Sequence, residues 1–168
     1  MKTTIAFLAF FLVSCGGNPS ENQAALTKAK IGEKAPLFSL QSTDGKSFKL
    51  EDYKGKVVLL DFWATWCGPC RYSTPAVVRL NEKMKGKKFQ VLSISVDENH
   101  ADVPPFLKNE NVTYPTLYAD PEVAYRYRVN SIPQFVIIDK NGIISKMYQG
   151  FAPSLESEWE SQINRLLK

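Results

Sequence analysis

Apolar and polar positions along the chain predict alternating strands and helices. Residues 57–63 form an apolar run that only Asp61 interrupts, and a run that is apolar on both faces is typical of a strand inside a covered sheet. Apolar residues recur at helical spacing over 67–84, and again over 153–168, where acids come first and bases last, as suits a helix dipole. The other predicted elements are strands at 37–40, 47–50, 89–96, 116–119, 135–138 and 143–148, and helices at 103–109 and 121–127. This order predicts one α/β domain whose sheet is covered by helices.

The first residues of the chain have the pattern of an export signal. Lys2 precedes an apolar run over residues 5–13, which is shorter than the roughly 20 residues that a helix needs to cross a bilayer but fits the apolar core of a signal peptide. The run ends in Leu12-Val13-Ser14-Cys15. This ending resembles the lipobox of bacterial lipoproteins, in which the cysteine is lipidated and becomes the first mature residue. A plain secretory signal followed by a stray cysteine is the alternative, and both interpretations export the protein.

The signal and the segment after it define the predicted organisation of the chain. We expect a lipoprotein-type signal peptide over residues 1–14 and lipid attachment at Cys15. Residues 15–30 are mostly polar, without helical or strand periodicity, and are predicted to tether the domain to a membrane. The domain itself is predicted to span residues 31–168.

Composition and charge narrow the classes of function. The chain has 168 residues, of which 44% are hydrophobic and 23% charged, which is typical of one globular domain. Lys and Arg number 21 against 17 acids, and the net charge of +4 is too small to predict nucleic-acid binding. The three cysteines are too few for a disulfide framework, so their role must be sought in their spacing.

Two cysteines stand three positions apart at the start of the first long predicted helix, in Trp66-Cys67-Gly68-Pro69-Cys70. The N-terminus of a helix stabilises a thiolate, so Cys67 is the candidate nucleophile and we expect its pKa to lie below the ordinary value of about 8.5. Cys70 would then attack the mixed disulfide that Cys67 forms with a substrate. A structural disulfide and half of a zinc site are the alternatives. Such a local disulfide constrains little of the chain, and the only further zinc ligands in view are His100 and Cys15.

The residues around these cysteines resemble the active-site segment of thioredoxins. The matching segment runs from Asp61 through Phe62-Trp63-Ala64-Thr65-Trp66-Cys67-Gly68-Pro69-Cys70 to Arg71, with Pro75 beyond it. The N-terminal hairpin, an extra segment over 97–119 and the lipoprotein-type signal make the domain similar to the TlpA/ResA-like branch of exported thiol-disulfide oxidoreductases. The resemblance implies a thioredoxin-like fold, in which a central mixed sheet is flanked by helices, with an N-terminal β-hairpin and a central insertion.

The resemblance also implies a substrate-binding surface next to the cysteines. Ser131-Ile132-Pro133 matches the cis-proline loop of the family, so the Ile132–Pro133 bond is expected to be cis and to face Cys67. The backbone of Ile132 would then be free to pair with an extended substrate segment, and Pro133 would keep a metal ion out. Trp66, Gly68 and Pro69 would complete this surface by contacting partner proteins.

Two acids are candidates for proton transfer. Asp61 lies in the middle of an apolar strand, where burial is costly and raises the pKa of a carboxyl group. By its place in the motif it resembles the buried aspartate that exchanges a proton with the second cysteine of thioredoxins, whereas many TlpA/ResA-like proteins carry asparagine there. Glu98 matches a glutamate that the same branch often places near the disulfide; a solvated loop acid is the alternative for Glu98.

The predicted direction of the reaction is reduction of the partner. Strong oxidants lower the pKa of the nucleophilic cysteine far below neutrality, often with a cation between the two cysteines, and Gly68-Pro69 carries no charge. We therefore expect a reductase that needs no cofactor besides its own dithiol and that is kept reduced by a membrane-bound electron donor. The resemblance implies oxidised exported proteins as substrates, among them the haem-binding cysteines of apocytochrome c.

Two other functions remain open at the level of the sequence. Peroxiredoxins share the architecture, but their peroxidatic cysteine follows a Pro-x-x-x-Thr/Ser-x-x pattern, whereas Trp63-Ala64-Thr65-Trp66 precedes Cys67 here. A non-catalytic copper carrier of the Sco kind needs a CxxxC spacing and a partnering histidine. Neither is present in that form.

Overall fold

The computed structural model of the protein describes residues 27–168, and its strands and helices alternate as the sequence predicts. The strands are β1 (Ser39–Gln41), β2 (Ser47–Lys49), β3 (Val57–Trp63), β4 (Phe89–Ser95), β5 (Thr116–Tyr118), β6 (Gln134–Ile138) and β7 (Ile144–Gln149). The helices are α1 (Gly68–Lys83), α2 (Val103–Asn109), α3 (Pro121–Arg126) and α4 (Ser154–Leu167). Short 3-10 helices cover Leu50–Tyr53 and His100–Asp102.

Strands β3 to β7 form one mixed sheet in the order β5-β4-β3-β6-β7. Strand β3 pairs in parallel with β4 and antiparallel with β6, and every residue of β3 is buried. The unbroken apolar run of β3 is therefore explained by cover on both faces of the sheet. Because β3 and β4 are parallel, their C-terminal ends meet at one edge, and the segment that carries the two cysteines begins there.

The two faces of the sheet build two apolar cores. On one face, alternate residues of β3 such as Leu59 join a cluster with Ala76 and Val77 of α1 and with Trp159 of α4. The ring centroids of Trp159 and Phe135 of β6 are 4.4 Å apart, which fixes α4 across the sheet. The opposite face packs beneath α3 and the N-terminal segment. A central mixed sheet flanked by helices is thus confirmed.

The predicted N-terminal hairpin is present as a separate two-stranded sheet of β1 and β2. Gly45 in its turn has a φ of +80°, a value that glycine adopts without strain. The packed domain begins before residue 31, because Ala29 is buried and its N–H donates to the carbonyl oxygen of Arg126 at 2.7 Å. The last residues of the predicted tether therefore belong to the domain.

The extra segment over 97–119 supplies α2 and the edge strand β5. Its Val103 and Phe106 are buried in a third apolar cluster, which also contains both cysteines of the motif. Over residues 27–168, no helix combines the length and the apolar character needed to cross a membrane. The predicted signal over 1–14 and the lipidation site Cys15 lie outside the described residues.

Candidate active site

The first residues of α1 bring Cys67 and Cys70 together in a disulfide. Their Cα atoms are 5.2 Å apart, and the S–S bond closes across the first turn of the helix. Cys67 is the N-cap residue of α1, and the backbone N–H of Cys70 donates to Cys67 Sγ at 3.2 Å. Cys67 is 5% exposed and Cys70 is fully buried. A partner can therefore reach only the sulfur of Cys67.

The N-terminus of α1 favours negative charge on Cys67 in the reduced protein. Free N–H groups of the first turn and the helix dipole point toward the cap residue, and the N–H of Cys70 already lies on its sulfur. The first turn of α1 contains no acidic residue that would oppose a thiolate. Pro69 occupies a position where its missing N–H costs no hydrogen bond.

A cis-proline loop lies directly beside the outer sulfur. The Ile132–Pro133 bond is cis, and the carbonyl oxygen of Ile132 is 3.7 Å from Cys67 Sγ. Both features are the ones that the family resemblance implies. Pro133 itself is buried, and its carbonyl oxygen accepts from the N–H of Gly150 at 2.8 Å.

Exposed residues surround the cysteines on the solvent side. Trp66 is 70% exposed, although large aromatic side chains are usually buried, and Gly68 and Pro69 are exposed beside it. Tyr72, one residue after Arg71, is 80% exposed on the same end of α1. The rim around Cys67 is thus apolar and open, as a surface for other proteins requires.

Asp61 is buried in β3 on the same face as Trp63, which packs in the cluster that contains both cysteines. Its side chain belongs to β3, is 3% exposed, and has an Oδ1 atom without a hydrogen-bond partner among residues 27–168. Burial raises its pKa from the ordinary value of 3.8 to about 7. Near neutral pH the carboxyl group therefore changes its protonation state readily, which is the property that a proton donor or acceptor needs.

The structure does not bring Glu98 into contact with the cysteines. Its side chain is exposed, and within residues 27–168 it makes no hydrogen bond or ion pair. The catalytic role of Glu98 stays a prediction.

The neighbouring acid, Asp97, is buried and is the residue that the sequence analysis missed. Its carboxylate accepts the backbone N–H of Thr65 at 3.0 and 3.1 Å, the Thr65 hydroxyl at 2.6 Å and the Ser95 hydroxyl at 2.8 Å. Asp97 follows β4 and Thr65 follows β3, so the parallel pairing of these strands is the signal that could have revealed the contact. Asp97 fixes the loop that leads into Cys67.

The extra segment over 97–119 covers the inner side of the site. The rings of Trp63 and Phe106 pack with centroids 4.7 Å apart, and Val103 joins them around Cys70. This cover keeps Cys70 out of contact with bulk water and lowers the local dielectric constant, so a proton that leaves Cys70 must pass to a group buried beside it. Among residues 27–168, no cluster of three or more His, Cys, Asp or Glu side chains could hold a metal ion.

A family model and a known relative agree on the family to which the chain is similar. The family model described as Redoxin matches residues 30–163. The chain is 34% identical over 124 residues to thiol-disulfide oxidoreductase ResA of Bacillus thuringiensis subsp. konkukian, covering 73% of this chain and 72% of the relative.

Two solved structures have the same fold. A Chlorobium tepidum protein assigned as thiol:disulfide interchange protein DsbE has a TM-score of 0.78 and 36% identity, covering 84% of this chain and all of that one. The exposed lipoprotein thioredoxin Etrx1 of Streptococcus pneumoniae has a TM-score of 0.65 and 31% identity, covering 77% of this chain and 99% of that one. With its CxxC disulfide at a helix N-terminus, the chain belongs to the redoxin family as a thiol-disulfide oxidoreductase of the ResA type.

Proposed function

We propose that the protein is a membrane-tethered reductase of disulfides in exported proteins. The observation that carries the proposal is the Cys67–Cys70 pair at the N-terminus of α1, with no positive charge between the two cysteines and with the buried Asp61 on the sheet face that α1 covers. A cation there would stabilise the thiolate of the reduced form and make the pair a strong oxidant. The negative charge of Asp61 acts in the other direction, because it disfavours the thiolate and so favours giving electrons away.

The reaction proceeds by two exchange steps. The Cys67 thiolate attacks one sulfur of a substrate disulfide, which forms a bond between Cys67 Sγ and the substrate and releases the other substrate sulfur as a thiolate. Cys70 then attacks Cys67 Sγ, restores the Cys67–Cys70 disulfide and releases the second substrate thiolate. Two electrons have moved to the substrate, and the protein is oxidised.

Asp61 serves the second step. Cys70 is shielded from water, so its thiol needs a nearby base before it can attack, and a carboxyl group with a pKa of about 7 accepts a proton near neutral pH. The exposed Trp66 and the carbonyl oxygen of Ile132 hold an extended segment of the substrate against Cys67, by apolar contact and by a backbone hydrogen bond.

The proposed setting is the outer side of a bacterial membrane. Acylation of Cys15 would anchor the chain, which is supported by the lipobox-like sequence and by the likeness to a pneumococcal protein named as an exposed lipoprotein. A membrane-bound donor of the thioredoxin-reducing type would return the pair to its dithiol form. Oxidised exported proteins, including apocytochrome c, are the proposed substrates.

Trapping tests the chemistry. In the Cys70→Ser variant, Cys67 can form the mixed disulfide but cannot resolve it, so exported proteins should accumulate as adducts that a reducing agent releases. The Cys67→Ser variant is the matched control and should trap none. Equal trapping by both variants, or by neither, would contradict the assigned roles. Incorporation of labelled fatty acid that Cys15→Ala abolishes would test the anchor separately.

A further inference from the structure

A row of buried polar side chains crosses the sheet from Asp61 toward its edge. Asp61 of β3 lies opposite Ser93 of β4, and Ser93 lies opposite Thr116 of β5. All three residues are buried. Side chains of directly paired residues project from the same face of a sheet, so these three stand side by side.

The row lies on the face that α1 covers. Leu59 and Trp63, the neighbours of Asp61 on this face of β3, pack in the clusters that contain Ala76 and Cys70 of α1 respectively. Asp61 therefore lies beneath the helix segment between these two residues. The row thus begins below the buried cysteine of the active site.

Two atoms of the row lack hydrogen-bond partners. Asp61 Oδ1 and Thr116 Oγ1 are both buried, and neither has a partner within residues 27–168. Buried polar atoms are almost always satisfied, and ordered internal water is the usual partner when protein groups are not in reach. Asp61 Oδ1 and Thr116 Oγ1 lie at the two ends of the row, and Ser93 lies on β4, the strand between β3 and β5.

The outer end of the row is at the edge of the sheet. Strand β5 is the last strand of the five-stranded sheet. Its outer edge is bridged by Ser42, which pairs with Leu117, and by Thr43, whose N–H donates to the carbonyl oxygen of Thr116 at 2.9 Å. Tyr114, two residues before Thr116, packs in the cluster that contains Leu59 and Ala76, on the face that α1 covers. Burial, together with the carboxylates of Asp61 and Glu110, raises the pKa of Tyr114 well above its ordinary value. Asp61 and the half-buried Glu110 are thus both close enough to Tyr114 to raise its pKa.

We propose that Ser93 and Thr116, with ordered water, form a proton path between Asp61 and solvent at the β5 edge. The proposal rests on the role of Asp61 in the proposed function. When the Cys70 thiol gives its proton to the Asp61 carboxylate, the proton cannot return to Cys70 as long as that sulfur is part of the disulfide. In the oxidised protein it can therefore exchange only with solvent. The path carries the proton outward along hydroxyl groups and water, and no electron moves along it. Among residues 27–168, Tyr114 and Glu110 are titratable groups near the row, and Cys70 of α1 belongs to the cluster that holds Trp63, the neighbour of Asp61 on this face.

Removal of one hydroxyl group tests the path. Thr116→Val keeps the shape of the side chain, and Thr113→Val, at an exposed position of the same segment, is the control. We expect Thr116→Val to raise the apparent pKa of Asp61, followed by carboxyl carbon NMR in the full-length protein. We also expect it to slow thiol-disulfide exchange several-fold and to enlarge the effect of D₂O on the rate. Thr113→Val should match the wild type.

Further variants distinguish an effect on the proton path from an effect on packing, and test the role of Asp61 separately. Thr116→Ser keeps the hydroxyl group and should restore wild-type behaviour, whereas a packing effect would not be rescued. In an Asp61→Asn background, Thr116→Val should change the pH profile no further. Wild-type titration and rates in Ser93→Ala, Thr116→Val and their double variant would overturn the path. If Asp61→Asn itself left the pH profile unchanged, the proposed role of Asp61 would fail as well.

Discussion

The buried carboxyl group of Asp61 makes the stability of the oxidised protein depend on pH in a defined window. Its pKa is 3.8 in ordinary surroundings and about 7 in the fold, so the folded state binds a proton that the unfolded chain has already lost. Folded stability from this group is complete below pH 3.8 and decreases as the pH rises to about 7. The Asp61→Asn variant has no carboxyl group there and should not show this decrease.

The size of the effect follows from the two pKa values. The span from 3.8 to about 7, at about 1.36 kcal/mol per pKa unit, corresponds to about 4 kcal/mol. The buried amide of the variant adds an offset that does not vary with pH, so the informative quantity is the change of the difference between the two proteins. We expect Asp61→Asn to gain about 4 kcal/mol relative to the wild type between pH 4 and pH 8.

Urea denaturation of the disulfide-bonded proteins at several pH values measures this gain. Asp52→Asn, which removes an exposed acid from the opposite end of β3, controls for the loss of one negative charge and should run parallel to the wild type. A stability difference between Asp61→Asn and the wild type that stays constant from pH 4 to pH 8 would refute the argument. In that case Asp61 would titrate alike in the folded and unfolded states, and it could not serve as a tuned proton acceptor.

Two further variants test the surroundings of the site, and one double-mutant cycle tests a surface contact. Asp97→Ala should lower the free energy of unfolding by about 3 kcal/mol, because it leaves the N–H and hydroxyl of Thr65 without their charged partner. If urea denaturation gave a loss below about 1 kcal/mol, Asp97 would not be what fixes the loop before Cys67. Glu98→Gln should change stability by less than about 0.5 kcal/mol, and only an altered exchange rate would place Glu98 in the reaction. A double-mutant cycle on the exposed Arg79–Glu156 pair should give a small coupling energy that decreases with salt, despite the 2.6 Å contact between Arg79 Nη2 and Glu156 Oε2. A coupling energy that does not change with salt would contradict this expectation.

Local sequence patterns predicted most of the fold because the apolar runs and turns that define each strand or helix lie within the element itself. Strand β3 has the predicted bounds, since a run of apolar residues has few alternatives to a covered central strand. Helix α2 also has the predicted bounds, between a polar loop and the turn at Asn111, where φ is +54°. The N-terminal boundary differed because Ala29 is buried through its contact with Arg126, almost a hundred residues away, which no local pattern could indicate.

The parts of the site that the sequence did not predict depend on strand register. Asp97 and Thr65 meet only because β3 and β4 are parallel and end together, and the sequence analysis named only the adjacent Glu98, whose catalytic role stays a prediction. Likewise, Ser93 and Thr116 appear as isolated polar residues in apolar strands until pairing sets them in line with Asp61. Pairing between strands is a long-range property, so a single sequence carries little information about it.

The equilibrium reduction potential of the Cys67–Cys70 pair tests the central claim most directly. Tryptophan fluorescence in a set of thiol buffers reports the ratio of dithiol to disulfide, because Trp66 and Trp63 adjoin the cysteines. A reductase of exported proteins should have a potential near about −270 mV, in the range of thioredoxin. A value near about −120 mV, typical of a strong oxidant, would contradict the direction of the reaction and make the protein a disulfide donor.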